Sequence, residues 1–216
     1  MLEAEKEAVA AAARRLAAKG LVLGSAGNLS VLRDGLVAVT PTGAVLSEAR
    51  ADQVAVVDLD GRRVDGDLAP TSELPLHLGA YVRCGAGAVV HTHAPMATAV
   101  SCVLDELPVV HYQMVALGGS VRVAPYATFG TQRLADLTLD AMADRSAALM
   151  SNHGTLCIGA DLAAAVDNTL LLEWAATIYC HAARLGTPRI LNADQIADYR
   201  RTIDARGYRP LQGART

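Results

Sequence analysis

The run VVHTHAPMATAV, residues 89 to 100, sets two imidazoles, His91 and His93, one residue apart inside an otherwise apolar stretch. On a β-strand, residues i and i+2 face the same way about 6.6 Å apart along the chain, so both rings project from one face and Thr92 from the other. Two neighbouring imidazoles in apolar surroundings repel if protonated and each need a partner if neutral. A shared metal ion satisfies both. Because H-x-H is short and occurs by chance, further ligands have to be found elsewhere. His153, in MSNHGTLCIG, stands at the end of an apolar strand against a glycine, where an inward-facing ligand on a loop rim would sit. Glu73, in PTSELPLHLG, is a carboxylate in the first turn of a mostly apolar helix. Attraction to the helix N-terminus, worth up to about 1 kcal/mol, is an ordinary reason for it; ligation is the other. Three histidines and one carboxylate suit a borderline-soft divalent ion, Zn²⁺ first, with Mn²⁺ or Co²⁺ behind it. Of the remaining histidines, His77 and His181 fall on helical patterns and read as core or surface residues, and His111 is unassigned.

Three small-residue turns, GSAGNLS (24 to 30), TPTGA (40 to 44) and PTSE (70 to 73), present backbone N–H groups, an amide and hydroxyls without bulk. Such groups cradle a phosphate, the third with help from a helix dipole. Each turn alone is only a turn. Ser72 adjoins the candidate ligand Glu73, so together they imply an anion held beside the ion, and a phosphorylated small molecule fits.

These groups need a scaffold. The pattern predicts a first helix ending at Gly20, strands LSVL, LVAVT and VAVVDL punctuated by RDG and LDG turns, and a helix over PTSELPLHLGAYVR capped by Thr71 or Ser72. The strand AVVHTHA, a short helix after Pro95, and strands VRVAPY, ALMSNHG and TLCIG follow. Helices are expected over about 131–143, 161–184 and 193–206. Hairpins followed by alternating helices and strands imply helices flanking a mixed sheet.

The 216 residues, 52% of them hydrophobic, suffice for one full core, and no linker or repeat divides them, so a single domain over 1–216 is expected. A net charge of -3 and the lack of any Lys/Arg run longer than two argue against nucleic acid or an anionic membrane as partner. The acidic N-terminal helix is unlike a leader peptide, and the uncharged stretch from Cys84 to Leu104 contains two histidines and a proline, unlike a bilayer span. A cytoplasmic location is expected. Asn28-Leu29-Ser30 matches a glycosylation acceptor only in a secreted chain, so Asn28 needs another explanation. The four cysteines lack C-x-x-C spacing and read as buried free thiols.

Taken in order, Gly27-Asn28 with Ser30, Thr42-Gly43, Thr71-Ser72-Glu73, His91-Thr92-His93, His111-Tyr112-Gln113-Met114 and Asn152-His153-Gly154 resemble the class II aldolase family, which includes L-fuculose-1-phosphate aldolases and L-ribulose-5-phosphate 4-epimerases. The resemblance spans about residues 5 to 205. It implies a three-layer α/β/α sandwich with a mostly antiparallel sheet, and a homotetramer with active sites between subunits. It also implies Zn²⁺ on Glu73, His91, His93 and His153, with phosphate on Gly27, Asn28, Thr42, Gly43, Thr71 and Ser72. Threonine at 71 departs from the usual serine. The implied reaction is reversible cleavage of a ketose 1-phosphate to dihydroxyacetone phosphate and an aldehyde through a metal-stabilised enediolate, with Glu73 shuttling the proton. Tyr112 of an adjacent subunit would be the acid at the aldehyde oxygen; read alone it is a sheet-edge aromatic. The only lysines, Lys6 and Lys19, belong to the N-terminal helix region, which leaves a Schiff-base route without a nucleophile. One departure concerns the tail, where Arg206 aligns with a family tyrosine and Tyr208 lies two residues on. The alternatives are a sugar-phosphate dehydratase, a decarboxylase, a 4-epimerase, or a non-catalytic assembly module on the same fold.

Overall fold

The computed structural model describes residues 1–207. Helix α1 (Glu3–Ala18) precedes four strands, β1 (Asn28–Arg33), β2 (Leu36–Val39), β3 (Ala55–Asp58) and β4 (Arg63–Asp65). Helix α2 (Leu74–Cys84) leads into β5 (Ala88–Thr92), α3 (Pro95–Ser101), β6 (Glu106–Leu107) and β7 (Val121–Ala124). Then come α4 (Gln132–Ala141), β8 (Ala147–Met150), β9 (Gly154–Gly159), α5 (Leu162–Leu185) and α6 (Ala193–Arg206).

The strands form one sheet in the order β4-β3-β2-β1-β5-β9-β8-β7-β6, antiparallel throughout except for the β7–β8 pair. Strand alternation divides the core in two. On one face Leu29, Ala38, Ala88, Val90 and Leu149 pack with Val9 and Leu16 of α1, Val100 of α3 and Leu172 of α5. On the other Val37, Val39, Val57, Val89 and Leu156 meet Leu76 and Ala80 of α2 and Leu134 and Leu139 of α4. Helices on both faces of a mostly antiparallel sheet make the expected three-layer α/β/α sandwich.

Most elements fall where the pattern put them, with four differences. Helix α2 begins at Leu74 with Glu73 in the cap position and no side-chain cap; Thr71 Oγ1 accepts the Glu73 N–H at 3.2 Å instead. The strand expected over AVVHTHA stops at Thr92, so His93 stands one residue beyond it. Strands β4 and β6 were not anticipated, being three and two residues long and too short to show alternation. The four cysteines are free, but of them only Cys157 is buried; Cys84 and Cys180 are half-buried, and Cys102 is exposed because it occupies the solvent-facing C-terminal end of α3. No helix among the described residues is long and apolar enough to cross a membrane.

Candidate metal centre and substrate cavity

Sheet register brings the ligands together. Strand β5 is central, with Asn28 of β1 paired to His91 on one side and Leu156 of β9 paired to it on the other. The tight β8–β9 connection pairs Met150 with Gly154 and so leaves His153 at the same sheet end as His93. A Cβ on Gly154 would collide with the Thr92 carbonyl and come within 3.1 Å of the His93 ring, so the glycine sets how closely the two ligand loops approach. Asn152 holds a left-handed φ of 55°, a conformation that asparagine tolerates better than most residues.

The three imidazoles lie edge to face with centroids 4.9, 4.9 and 5.0 Å apart, and one ring nitrogen of each lies within 4.8 Å of the others. His91 Nδ1 donates to the Thr155 carbonyl at 2.8 Å, which directs Nε2 into the cluster. There it meets His93 Nε2 and Glu73 Oε2, each at 3.1 Å. Glu73 Oε1 is 3.6 Å from His153 Nε2, beyond hydrogen-bond length, and is one of two buried side-chain oxygens without a partner among the described residues. An orphaned buried acceptor costs about 1–3 kcal/mol, and more when charged. A cation would remove that cost, so this donor set fits a divalent ion.

The titrations agree with that chemistry. Burial pushes the His93 and His153 imidazoles down to about 4, reinforced by His91, so both present lone pairs at neutral pH. Burial alone pushes the Glu73 carboxyl up. The hydrogen bond and charge of His91, with Asn28 and His153, outweigh that and hold it well below the usual carboxylate range.

A cavity of about 430 Å³ opens beside the cluster, and Glu73, His93 and His153 line it. So do Gly27, Asn28, Thr42, Gly43, Thr71 and Ser72, the six expected phosphate contacts. The turns carrying them are stitched together: Thr42 N donates to Ala69 O, and Thr71 N donates to Thr40 O. The backbone amides of Thr42 and Thr71 are thereby committed, leaving their hydroxyls for an anion. Gly27 holds φ at 92°, and a Cβ there would come within 2.9 Å of the His91 carbonyl oxygen. None of the lining residues is Lys or Arg, so neutral donors alone face that end. The amide of Asn28 points at the metal cluster, Nδ2 donating to Glu73 Oε2 at 2.9 Å.

Tyr112 is not among the lining residues. It opens a 3-10 turn (Tyr112–Leu117), is about half exposed, and stacks between His111 and Tyr199 with centroids 4.2 and 4.9 Å away. Arg206 ends α6 and is exposed, and Tyr208 lies outside the described residues. Lys6 is ion-paired to Asp65 at 2.7 Å away from the cavity. Sequence reasoning missed the cavity walls Tyr126, Phe129 and Asn152. Exposed aromatics in a loop carry no periodic signal, and Asn152 was legible only as part of Asn-His-Gly.

A sandwich with three histidines and a carboxylate beside a cavity of neutral anion donors has the architecture of a metal-dependent lyase acting on small molecules. The chain belongs to the class II aldolase family: the pattern described as Class II Aldolase and Adducin N-terminal domain matches residues 7–180. It is 35% identical over 210 residues to the 5-deoxy-D-ribulose 1-phosphate aldolase of Bacillus thuringiensis serovar kurstaki, covering 96% of this chain and 99% of that protein. It is 37% identical to the L-fuculose phosphate aldolase of Escherichia coli K12, covering 82% of this chain and 84% of that one. A solved structure of L-fuculose 1-phosphate aldolase superimposes with a TM-score of 0.88 at 33% identity, covering 93% and 96% of the two chains. These similarities place the chain among class II aldolases, lyases that work with a divalent metal.

Proposed function

We propose that this chain, acting as one domain over 1–216, is a zinc-dependent aldolase that reversibly cleaves a ketose 1-phosphate to dihydroxyacetone phosphate and an aldehyde. The observation that carries the reading is the orphaned Glu73 Oε1, 3.6 Å from His153 Nε2 at the edge of a three-histidine cluster, on the wall of a cavity whose other side offers neutral phosphate donors. The names of the similar proteins supply the substrate class, L-fuculose 1-phosphate or 5-deoxyribulose 1-phosphate. Both are ketose 1-phosphates ending in a methyl group.

His91, His93, His153 and Glu73 would hold the zinc, which when bound would supply Lewis-acid polarisation of the carbonyl and a positive charge beside the carbon that loses its bond. The hydroxyls of Thr42, Thr71 and Ser72, with Gly27, Asn28 and Gly43, hold the phosphate. Glu73 moves the proton on and off the dihydroxyacetone phosphate carbon as the C3–C4 bond forms or breaks. Tyr112 of a neighbouring subunit holds the proton at the aldehyde oxygen, within a homotetramer whose active sites lie between chains. Its position outside its own chain's cavity supports that arrangement. The enzyme is cytoplasmic, where sugar phosphates occur.

The test is zinc content together with product analysis. Stoichiometric zinc and release of dihydroxyacetone phosphate from either ketose uphold the reading. A zinc-loaded protein that releases none while losing water or carbon dioxide from a sugar phosphate makes it a different lyase.

A further inference from the structure

Below the metal cluster, side chains of β1 and α2 alternate in one row of hydrogen bonds. Glu73 Oε2 accepts from Asn28 Nδ2 at 2.9 Å, Asn28 Oδ1 meets His77 Nε2 at 2.5 Å, His77 Nδ1 meets Ser30 Oγ at 2.6 Å, and Ser30 Oγ meets Tyr81 OH at 2.5 Å. The row closes because two periods nearly match. Four helical residues rise about 6.0 Å and two strand residues about 6.6 Å, so positions 73, 77 and 81 interleave with 28 and 30. All five residues are buried, His77 and Ser30 completely.

Every proton in the row is set from one end. Asn28 Nδ2 donates to Glu73 Oε2, so the Asn28 carbonyl oxygen faces His77. That oxygen only accepts, so His77 carries its proton on Nε2. The neutral ring leaves Nδ1 bare, Ser30 donates to it, and Ser30 Oγ accepts from Tyr81. Burial pushes His77 down to about 3 and Tyr81 up, so neither group changes charge near neutrality. The surrounding face is otherwise apolar, lined by Val37, Val39, Val89 and Leu76. Apolar residues at 30, 77 and 81 would pack there without the desolvation that a polar row costs, so packing does not account for it.

We propose that His77 is a positioning residue for Glu73: by locking the Asn28 amide it holds Oε2 beside His91 Nε2 and leaves Oε1 as the unpartnered oxygen on the His153 side. This rests on the reading of Glu73 as ligand and proton carrier.

The test compares full-length His77→Leu, which loses the donor, with His77→Gln, whose amide N–H reaches toward the Nε2 position. In competition with a chromophoric chelator, His77→Leu is expected to bind zinc about 10- to 100-fold more weakly. With L-fuculose 1-phosphate or 5-deoxyribulose 1-phosphate its kcat falls about tenfold or more, while KM moves less than about threefold. His77→Gln recovers most of both losses. In the metal-free wild type, long-range 1H–15N spectra should show the His77 proton on Nε2. The proposal is overturned by a folded His77→Leu with wild-type zinc affinity and kcat, or by a wild-type ring protonated on Nδ1. If His77→Leu does not fold, Ser30→Ala, which frees the ring to move its proton to Nδ1, carries the test: severalfold weaker zinc binding upholds the proposal and unchanged binding overturns it. A wild type that binds zinc yet cleaves neither ketose defeats the aldolase reading alone and leaves the affinity and tautomer results to judge His77.

Discussion

The ends of β5 and β9 and the surface around Tyr112 hold candidate catalytic groups in opposite ways. At the first, His91 is wholly buried, its tautomer is fixed by a backbone carbonyl, and Glu73 is held from below by Asn28. At the second, Tyr112 is about half exposed and is held by ring contacts to His111 and Tyr199, with Trp174 against His111 at 4.7 Å. Helix α6, which brings Tyr199, buries no residue of its own. A metal centre needs several atoms fixed to a few tenths of an ångström, which strand register provides within one chain. A proton donor to a departing or arriving aldehyde needs only reach, and a surface residue acquires its final setting from whatever docks on it.

Removing a ligand should give the largest effect. His93→Ala is expected to take zinc from about one equivalent per chain to near none, and turnover with it, as measured by elemental analysis and product release. Glu73→Gln separates the two duties of that residue, keeping much of the zinc while kcat falls about 10²- to 10⁴-fold. Equal zinc loss in both variants would make Glu73 mainly structural. Tyr112→Phe should keep full zinc and lose about 10²-fold in kcat. It also sharpens the contrast between the two regions, because mixed oligomers of Tyr112→Phe and His93→Ala chains should regain activity that neither parent has; no regain would put both groups in one chain's site. Ser72→Ala should raise KM about tenfold with kcat nearly unchanged, the loss of one hydrogen bond to a charged group.

The smallest effect is on pH. His93 and His153 are pushed to about 4 in the folded protein, below their ordinary value near 6.5. Between those pH values the unfolded chain binds more protons, so stability rises with pH through that window and is lost as pH falls through it. Depression of the Glu73 carboxyl acts in the same sense at still lower pH. The metal-free protein should therefore melt several degrees lower at about pH 5 than at about pH 7, and zinc, which needs the same rings deprotonated, should leave the difference in place.

The elements were legible where period and turn chemistry agree. Asp34-Gly35 closes the β1–β2 hairpin, and α6 begins at Ala193 behind an Asn192 capping box, as the pattern placed it. Strands β4 and β6 were not, because two or three residues carry no period. At the site, His91 and His93 were legible from their spacing, and Glu73 and His153 were added as candidates from their local surroundings, which the order of motifs along the chain reinforced. His77 was read as a helical core or surface residue, and it is a fully buried residue of α2. Its hydrogen-bond partners Asn28 and Ser30 are about fifty positions away, and only the packing of α2 over β1 makes E-x3-H-x3-Y and N-x-S a single pattern. The same packing answers for Asn28, whose amide spans Glu73 and His77.

The most direct test of the metal centre is anomalous scattering at the zinc edge from crystals grown with zinc. The account predicts one peak per chain within about 2.0–2.2 Å of a ring nitrogen of His91, His93 and His153 and of a Glu73 carboxylate oxygen. Those four side chains turned apart, or no peak among them in metal-replete crystals, would contradict it.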